Sequence, residues 1–229
     1  MKVKSLFISD VHIGSKGCNA NELLEMLKSY EPQKIFIVGD FIDGWKLERR
    51  HYWTQAYTNV IRKLLSHSKN GVEIFYITGN HDDFLRKYGQ MQFGNITITD
   101  SMQYKNCYIV HGDLFDGVVK LGWLARVGSF FYEVAMAFDR MMKKFGVRRS
   151  LSKMLKTKVK DAVKFITNFE NALVREAKKH GCDMVVCGHI HKPEDTMIDG
   201  VRYMNTGDWI ENNSYIIEDI DGNFIMNYY

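Results

Sequence analysis

Only two prolines, Pro32 and Pro193, occur in 229 residues, and no Gly/Ser-rich or other low-complexity tract divides the chain into halves. The four cysteines, Cys18, Cys107, Cys182 and Cys187, lack the spacing of a disulfide framework, which predicts a reduced, cytoplasmic protein. No apolar run approaches the roughly 20 residues of a membrane-spanning helix. The longest, such as Ile74–Ile77 and Met184–Cys187, are strand-sized. The opening Met1-Lys2-Val3-Lys4 leads to Asp10 through an apolar segment too short for a signal peptide. No repeat of solenoid length occurs either. What is present, 45% hydrophobic and 25% charged residues, is the make-up of a folded globular chain with a sizeable core. Its length suits one domain, or one domain carrying an insertion.

The formal charge of +4 favours no partner by itself. Its distribution is uneven: residues 117–181 hold 15 Lys plus Arg against 5 Asp plus Glu, a local +10. The remainder holds 16 basic and 22 acidic residues, a local −6. A basic segment beside an acidic body suits anionic partners, although a solvated helix pair carries such lysines equally well.

Apolar periodicity orders the chain. Lys4–Ser9, Lys34–Val38, Val72–Thr78 and Tyr104–Val110 read as strands. Asn19–Tyr30, with Asn19 or Asn21 as N-cap, and Tyr52–Ser68 read as helices. From Val118 to Lys179 the steps of three and four are almost wholly helical, with a break at Gly146 and a C-cap at Gly181. Met184–Cys187, Tyr203–Asn205, Tyr215–Glu218 and Phe224–Tyr228 return to strand patterns. Strands, a helical block and strands again predict a single α/β domain over 1–229 with a helical insertion at 117–181.

The chemistry lies where the strands end. Five apolar runs lead into Asp10-Val11-His12, Gly39-Asp40-Phe41-Ile42-Asp43, Gly79-Asn80-His81-Asp82, His111-Gly112-Asp113 and Gly188-His189-Ile190-His191. Ligands of open α/β sheets collect beyond the carboxyl ends of strands, so these five blocks are expected to converge. Each block alone is weak, since an isolated histidine is more often a hydrogen-bonded structural residue. Together they gather five of the eight histidines, leaving His51, His67 and His180 as structural or solvent-exposed. Carboxylate, amide and imidazole donors suit Mn, Fe or Zn better than Mg, and the candidates are too many for one ion. Two ions sharing a carboxylate are the natural count, an arrangement that serves in-line phosphoryl displacement.

In this order, the five blocks from Asp10 to His191 resemble the calcineurin-like metallophosphoesterase superfamily. The resemblance implies a four-layer α/β/β/α sandwich with a dimetal site at one edge. By motif, one ion would be held by Asp10, His12, Asp40 and His191, the other by Asp40, Asn80, His111 and His189. His81 would face the leaving oxygen and Asp43 would orient its ring. Length, the helical segment after His111-Gly112-Asp113, and Gly207-Asp208-Trp209 are most similar to the UDP-2,3-diacylglucosamine diphosphatase group of lipid A synthesis. That group typically carries arginine where this chain has His81, the residue of the wider superfamily. The resemblance implies a nucleotide-lipid diphosphate substrate and a helical lid over its acyl chains. Lys120, Arg126, Arg148 and Arg149 are candidate phosphate or headgroup contacts, and the segment suits peripheral contact with an anionic inner-membrane surface. Two alternatives stay open: another small-molecule phosphodiesterase or pyrophosphatase, and a nuclease gripping phosphates with the basic helices. Against the nuclease, the basic residues share helices with long apolar stripes and form no aromatic-basic strand platform.

Overall fold

In the computed structural model, which describes residues 1–118 and 151–229, the strand-forming runs pair into two sheets. Strands β1 (Lys2–Ile8), β2 (Glu31–Val38) and β3 (Glu73–Ile77) lie parallel and adjacent, joined by helices α1 (Ala20–Ser29) and α3 (Gln55–Lys69). Short strands β4 (Met91–Phe93) and β5 (Ile96–Thr99) extend one side, while β11 (Ser214–Glu218) and β12 (Phe224–Tyr228) extend the other. The result is a seven-stranded sheet in the order β12-β11-β1-β2-β3-β5-β4. The second sheet runs β6-β7-β8-β10-β9, built from Ser101–Tyr104, Cys107–Val110, Met184–Cys187, Val201–Asn205 and Glu194–Ile198 respectively.

Strand periodicity decides which side chain enters which layer. Leu6, Ile8, Ile35, Ile37, Ile74 and Tyr76 join the core formed with α1 and α3, where Leu23, Met26, Leu27, Val60 and Leu64 are buried. Their neighbours Phe7, Phe36, Val38 and Ile77 point the other way, into a core shared with Cys107, Ile109, Val186 and Met204 of the second sheet. Phe7, Phe36 and Phe75 occupy one register line, with ring centroids 4.6 and 5.0 Å apart. The far face of the second sheet meets the end of α4 (Leu151–Lys179), where Tyr108 stacks on His180 at 4.5 Å. Gly181 closes that helix at φ +69°. Cys182 N–H donates to Ala177 O and Gly181 N–H to Lys178 O, the paired bonds of a left-handed helix end.

Two readings of the sequence are corrected, and one element escaped it. Tyr104–Val110 is a hairpin, not one strand: Lys105 turns at φ +52° and Tyr104 pairs with Cys107. No Gly or Pro marks that turn, so its apolar pattern reads through. Asn19 holds the N-cap position of α1, but its amide donates to Ile210 O and Asn213 Oδ1 instead of capping the helix. The short helix α2 (Gly44–Arg49), whose residues are none of them buried, has no apolar stripe to announce it.

The chain forms two compact units, Met1–Asp113 with Val174–Tyr229, and Leu114–Leu173. The expected break at Gly146 and the candidate contacts Lys120, Arg126, Arg148 and Arg149 lie outside the described residues. Among the described residues, no helix is long and apolar enough to cross a membrane.

Candidate metal centre

Parallel pairing sends the carboxyl ends of β1, β2 and β3 to one edge, and β7 and β8 do the same in the second sheet. The loops keep close contact beyond the strands: Asp10 N–H donates to Gly39 O at 3.1 Å, His12 N–H to Asp40 O at 2.9 Å and Gly188 N–H to His111 O at 3.1 Å. Two glycines set how near they come. A Cβ on Gly79 would sit 2.2 Å from Asp40 Oδ1, and one on Gly39 would sit 2.3 Å from the His111 ring. Asp10, His12, Asp40, His189 and His191 all take left-handed backbone angles, φ +50° to +72°. Such strain costs about 1 kcal/mol or more per residue and persists where the surroundings over-determine it.

Three groups of side chains offer ligand atoms within 4.8 Å of one another: Asp10, His12 and His191; Asp40, His111 and His189; and His12, Asp43 and His81. Each central carboxylate is pinned by one oxygen. Asp10 Oδ2 accepts from Ser9 Oγ at 2.6 Å and His189 N–H at 2.9 Å, while Asp40 Oδ1 accepts from His81 N–H at 2.8 Å. The other oxygens, Asp10 Oδ1 and Asp40 Oδ2, are buried without a well-directed hydrogen bond. His111 behaves alike: Nδ1–H donates to Val38 O at 2.8 Å, and buried Nε2 is left 3.4 Å from Asp40 Oδ2. Asn80 Oδ1 is a fourth buried atom without a partner. Leaving such atoms unsatisfied is expensive, and a cation is what would satisfy three acceptor oxygens and an imidazole nitrogen together. The donor set therefore fits divalent ions. Asp40 Oδ2 lies between the groups, 3.4 Å from His111 Nε2 and 3.8 Å from His12 Nε2.

The electrostatics agree. Burial pushes the carboxyl groups of Asp10 and Asp40 up, but the imidazoles of His191 and His111 beside them hold both below the usual range. Burial drives His12 and His111 down; the Asp10, Asp40 and Asp43 carboxylates beside them outweigh it and lift them to about 9 and about 10.

His81 Nδ1 lies 2.9 Å from Asp43 Oδ1, which also accepts from Lys46 N–H at the start of α2. The ring's Nε2 is 3.9 Å from Asp40 Oδ2. The half-exposed Trp45 indole packs on the His81 ring, with centroids 4.2 Å apart.

Other supports carry no assigned role in the sequence. Asp82, buried, accepts from Phe41 N–H, Tyr76 Oη and Gly79 N–H, and so fixes the loop that bears Asn80 and His81. Its place in the Gly79–Asp82 block is a signal that could have found it. Trp209 is fully buried, and its backbone N–H donates to Asp10 O at 3.2 Å.

A two-sheet α/β frame that gathers buried carboxylate and imidazole groups at one edge has the make-up of a metal-dependent hydrolase. The chain belongs to the calcineurin-like phosphoesterase family, whose sequence model matches residues 3–193. It is 27% identical over 252 residues to the UDP-2,3-diacylglucosamine hydrolase of Porphyromonas gingivalis, covering 96% of this chain and 95% of that one. A protein of the same name from Neisseria gonorrhoeae is 27% identical over 235 residues, with 95% and 94% covered. Among solved structures, the phosphoesterase Yfce of E. coli is 16% identical with a TM-score of 0.48, covering 98% of each chain.

Proposed function

We propose that the protein hydrolyses the diphosphate of UDP-2,3-diacylglucosamine, releasing UMP and 2,3-diacylglucosamine 1-phosphate, in lipid A synthesis at the cytoplasmic face of the inner membrane. The observation that carries the chemistry is Asp40 Oδ2, an unsatisfied buried carboxylate oxygen shared between two ligand groups. Asp10, His12, Asp40 and His191 would hold one ion, and Asp40, Asn80, His111 and His189 the other; the mixed carboxylate, amide and imidazole set suits Mn, Fe or Zn, of which Mn²⁺ is the one proposed. Two such ions, when bound, clamp phosphate oxygens and acidify a water for in-line attack. The protein's own part is orientation and proton delivery. Asp43 takes the Nδ1 side of the His81 ring at 2.9 Å, so Nε2 is the atom left to hand a proton to the departing oxygen. Full-length similarity to proteins named UDP-2,3-diacylglucosamine hydrolase supports the substrate.

His81 in place of that group's usual arginine favours one second reading, a broader nucleotide pyrophosphatase or phosphodiesterase. One assay separates them: UDP-2,3-diacylglucosamine with Mn²⁺, followed by UMP release, beside UDP-glucose and a p-nitrophenyl phosphodiester. UMP from the acylated substrate alone supports the first reading. Cleavage of the other two without UMP from the lipid moves the assignment to the second.

A further inference from the structure

An arginine at the mouth of a phosphoesterase site ordinarily reads as a substrate phosphate contact. Arg86 instead commits four of its five N–H donors within the protein. Its Nη1 and Nη2 give a bidentate pair to Asp113, at 2.8 and 2.9 Å, Nη2 also donates to Thr78 O at 3.0 Å, and Nε donates to Thr78 Oγ1 at 3.0 Å. Asp100 Oδ1 lies 3.3 Å from the same Nε and accepts from the Thr78 hydroxyl. The guanidinium is half-buried and the Asp113 carboxylate nearly wholly so. Burial pushes the guanidinium pKa down, but the carboxylates of Asp113 and Asp100 beside it outweigh that and hold it above its ordinary value.

What these contacts join is informative. Thr78 follows β3 of the seven-stranded sheet and immediately precedes Gly79-Asn80. Asp113 follows β7 of the five-stranded sheet and stands two residues after His111. One planar fork thus ties the two sheets together at the edge where the ligand groups meet. It also fixes the separation of the loops bearing Asn80 and His111, whose Oδ1 and Nε2 are left buried without partners. Among the described residues, no hydrogen bond or ion pair of Arg86 reaches the Asp10, His12 and His191 group.

We infer that Arg86 is a positioning residue for one half of the metal centre: its cross-sheet clamp sets the geometry with which Asn80 and His111 hold their ion, and leaves the other ion alone. This rests on the two-ion reading above. A lysine keeps the charge but not the fork, so it cannot reproduce four directed bonds. Loss of groups that orient metal ligands typically weakens binding about 10–100-fold.

The test is Mn²⁺ titration of Arg86→Lys, Arg86→Met and Asp113→Asn proteins, read by isothermal calorimetry and by the electron paramagnetic resonance signal of the coupled ion pair, with thermal unfolding recorded alongside. Each variant that folds is expected to bind one Mn²⁺ as the parent does and the second about 10–100-fold more weakly, losing the coupled signal while the single-ion signal remains. Asp113→Asn, isosteric and uncharged, supplies the reading if the arginine variants do not fold. Two ions bound with parental affinities, or both weakened in parallel, overturns the assignment. A parent protein that takes up fewer than two Mn²⁺ sinks the two-ion reading itself, a separate outcome.

Discussion

Asp40 and His81 are neighbours in space with different proposed duties, and substitution separates them. Asp40→Ala removes the one oxygen that faces both ligand groups, so activity is expected to fall below detection with neither ion retained at stoichiometric level. His81→Ala leaves every ligand proposed for the two ions in place. It is expected to keep two ions while kcat drops about 10²–10⁴-fold, the usual worth of a positioned general acid. Metal content by atomic emission and kcat on one preparation check both. A His81→Ala protein that loses its metal would make the ring a ligand rather than a proton donor.

The same residues set a pH dependence. In the metal-free protein His12 and His111 hold their protons up to about pH 9 and about pH 10. An imidazolium cannot ligate, so ion uptake near neutrality must expel these protons. The sign follows: affinity rises with pH up to about 10 and falls below it, up to tenfold per pH unit for each proton displaced, two of them below about pH 9 and one between about 9 and 10. Calorimetry of Mn²⁺ binding in buffers of different ionisation heat should report proton release near pH 7. Uptake without proton release would contradict the raised values.

At the scale of elements, the stacked line Phe7–Phe36–Phe75 holds the edge that presents the ligands. Phe36 is fully buried between its neighbours, four residues before Asp40. Phe36→Ala is expected to cost about 3–5 kcal/mol, read as a lower urea midpoint with an unchanged slope. The strands of this line were legible because β-branched and aromatic runs with period two admit few alternatives. The blocks after them were legible because glycine, carboxylate and imidazole follow each run. What stayed hidden has a common physical cause: it depends on contacts distant in sequence. The turn at Lys105-Asn106 lacks glycine and proline, α2 has no buried face, and β4 and β9 are short strands with no buried side chain. The clamp of Arg86 on Asp113 spans 27 residues and two sheets, so no local pattern encodes it.

At the scale of the whole molecule the uneven charge becomes the argument. The residues that carry the ligands belong to a body of net −6, while 117–181 carries +10, the reverse of what an anionic diphosphate alone would select. A basic segment is useful if the enzyme meets its amphiphilic substrate at an anionic surface, where each Lys or Arg close to the bilayer contributes about 1 kcal/mol. The expected behaviour is co-sedimentation with vesicles containing anionic phospholipid at low salt, and release at about 0.5–1 M NaCl, where the Debye length shrinks to a few ångströms. Neutral phosphatidylcholine vesicles should not retain the protein. Arg148→Glu with Arg149→Glu should weaken retention on anionic vesicles, and turnover of the acylated substrate in those vesicles should fall with it, while a water-soluble phosphodiester is cleaved at the parental rate. Equal retention on neutral and anionic vesicles, or none on either, would remove the surface from the picture and leave the basic segment to solvent.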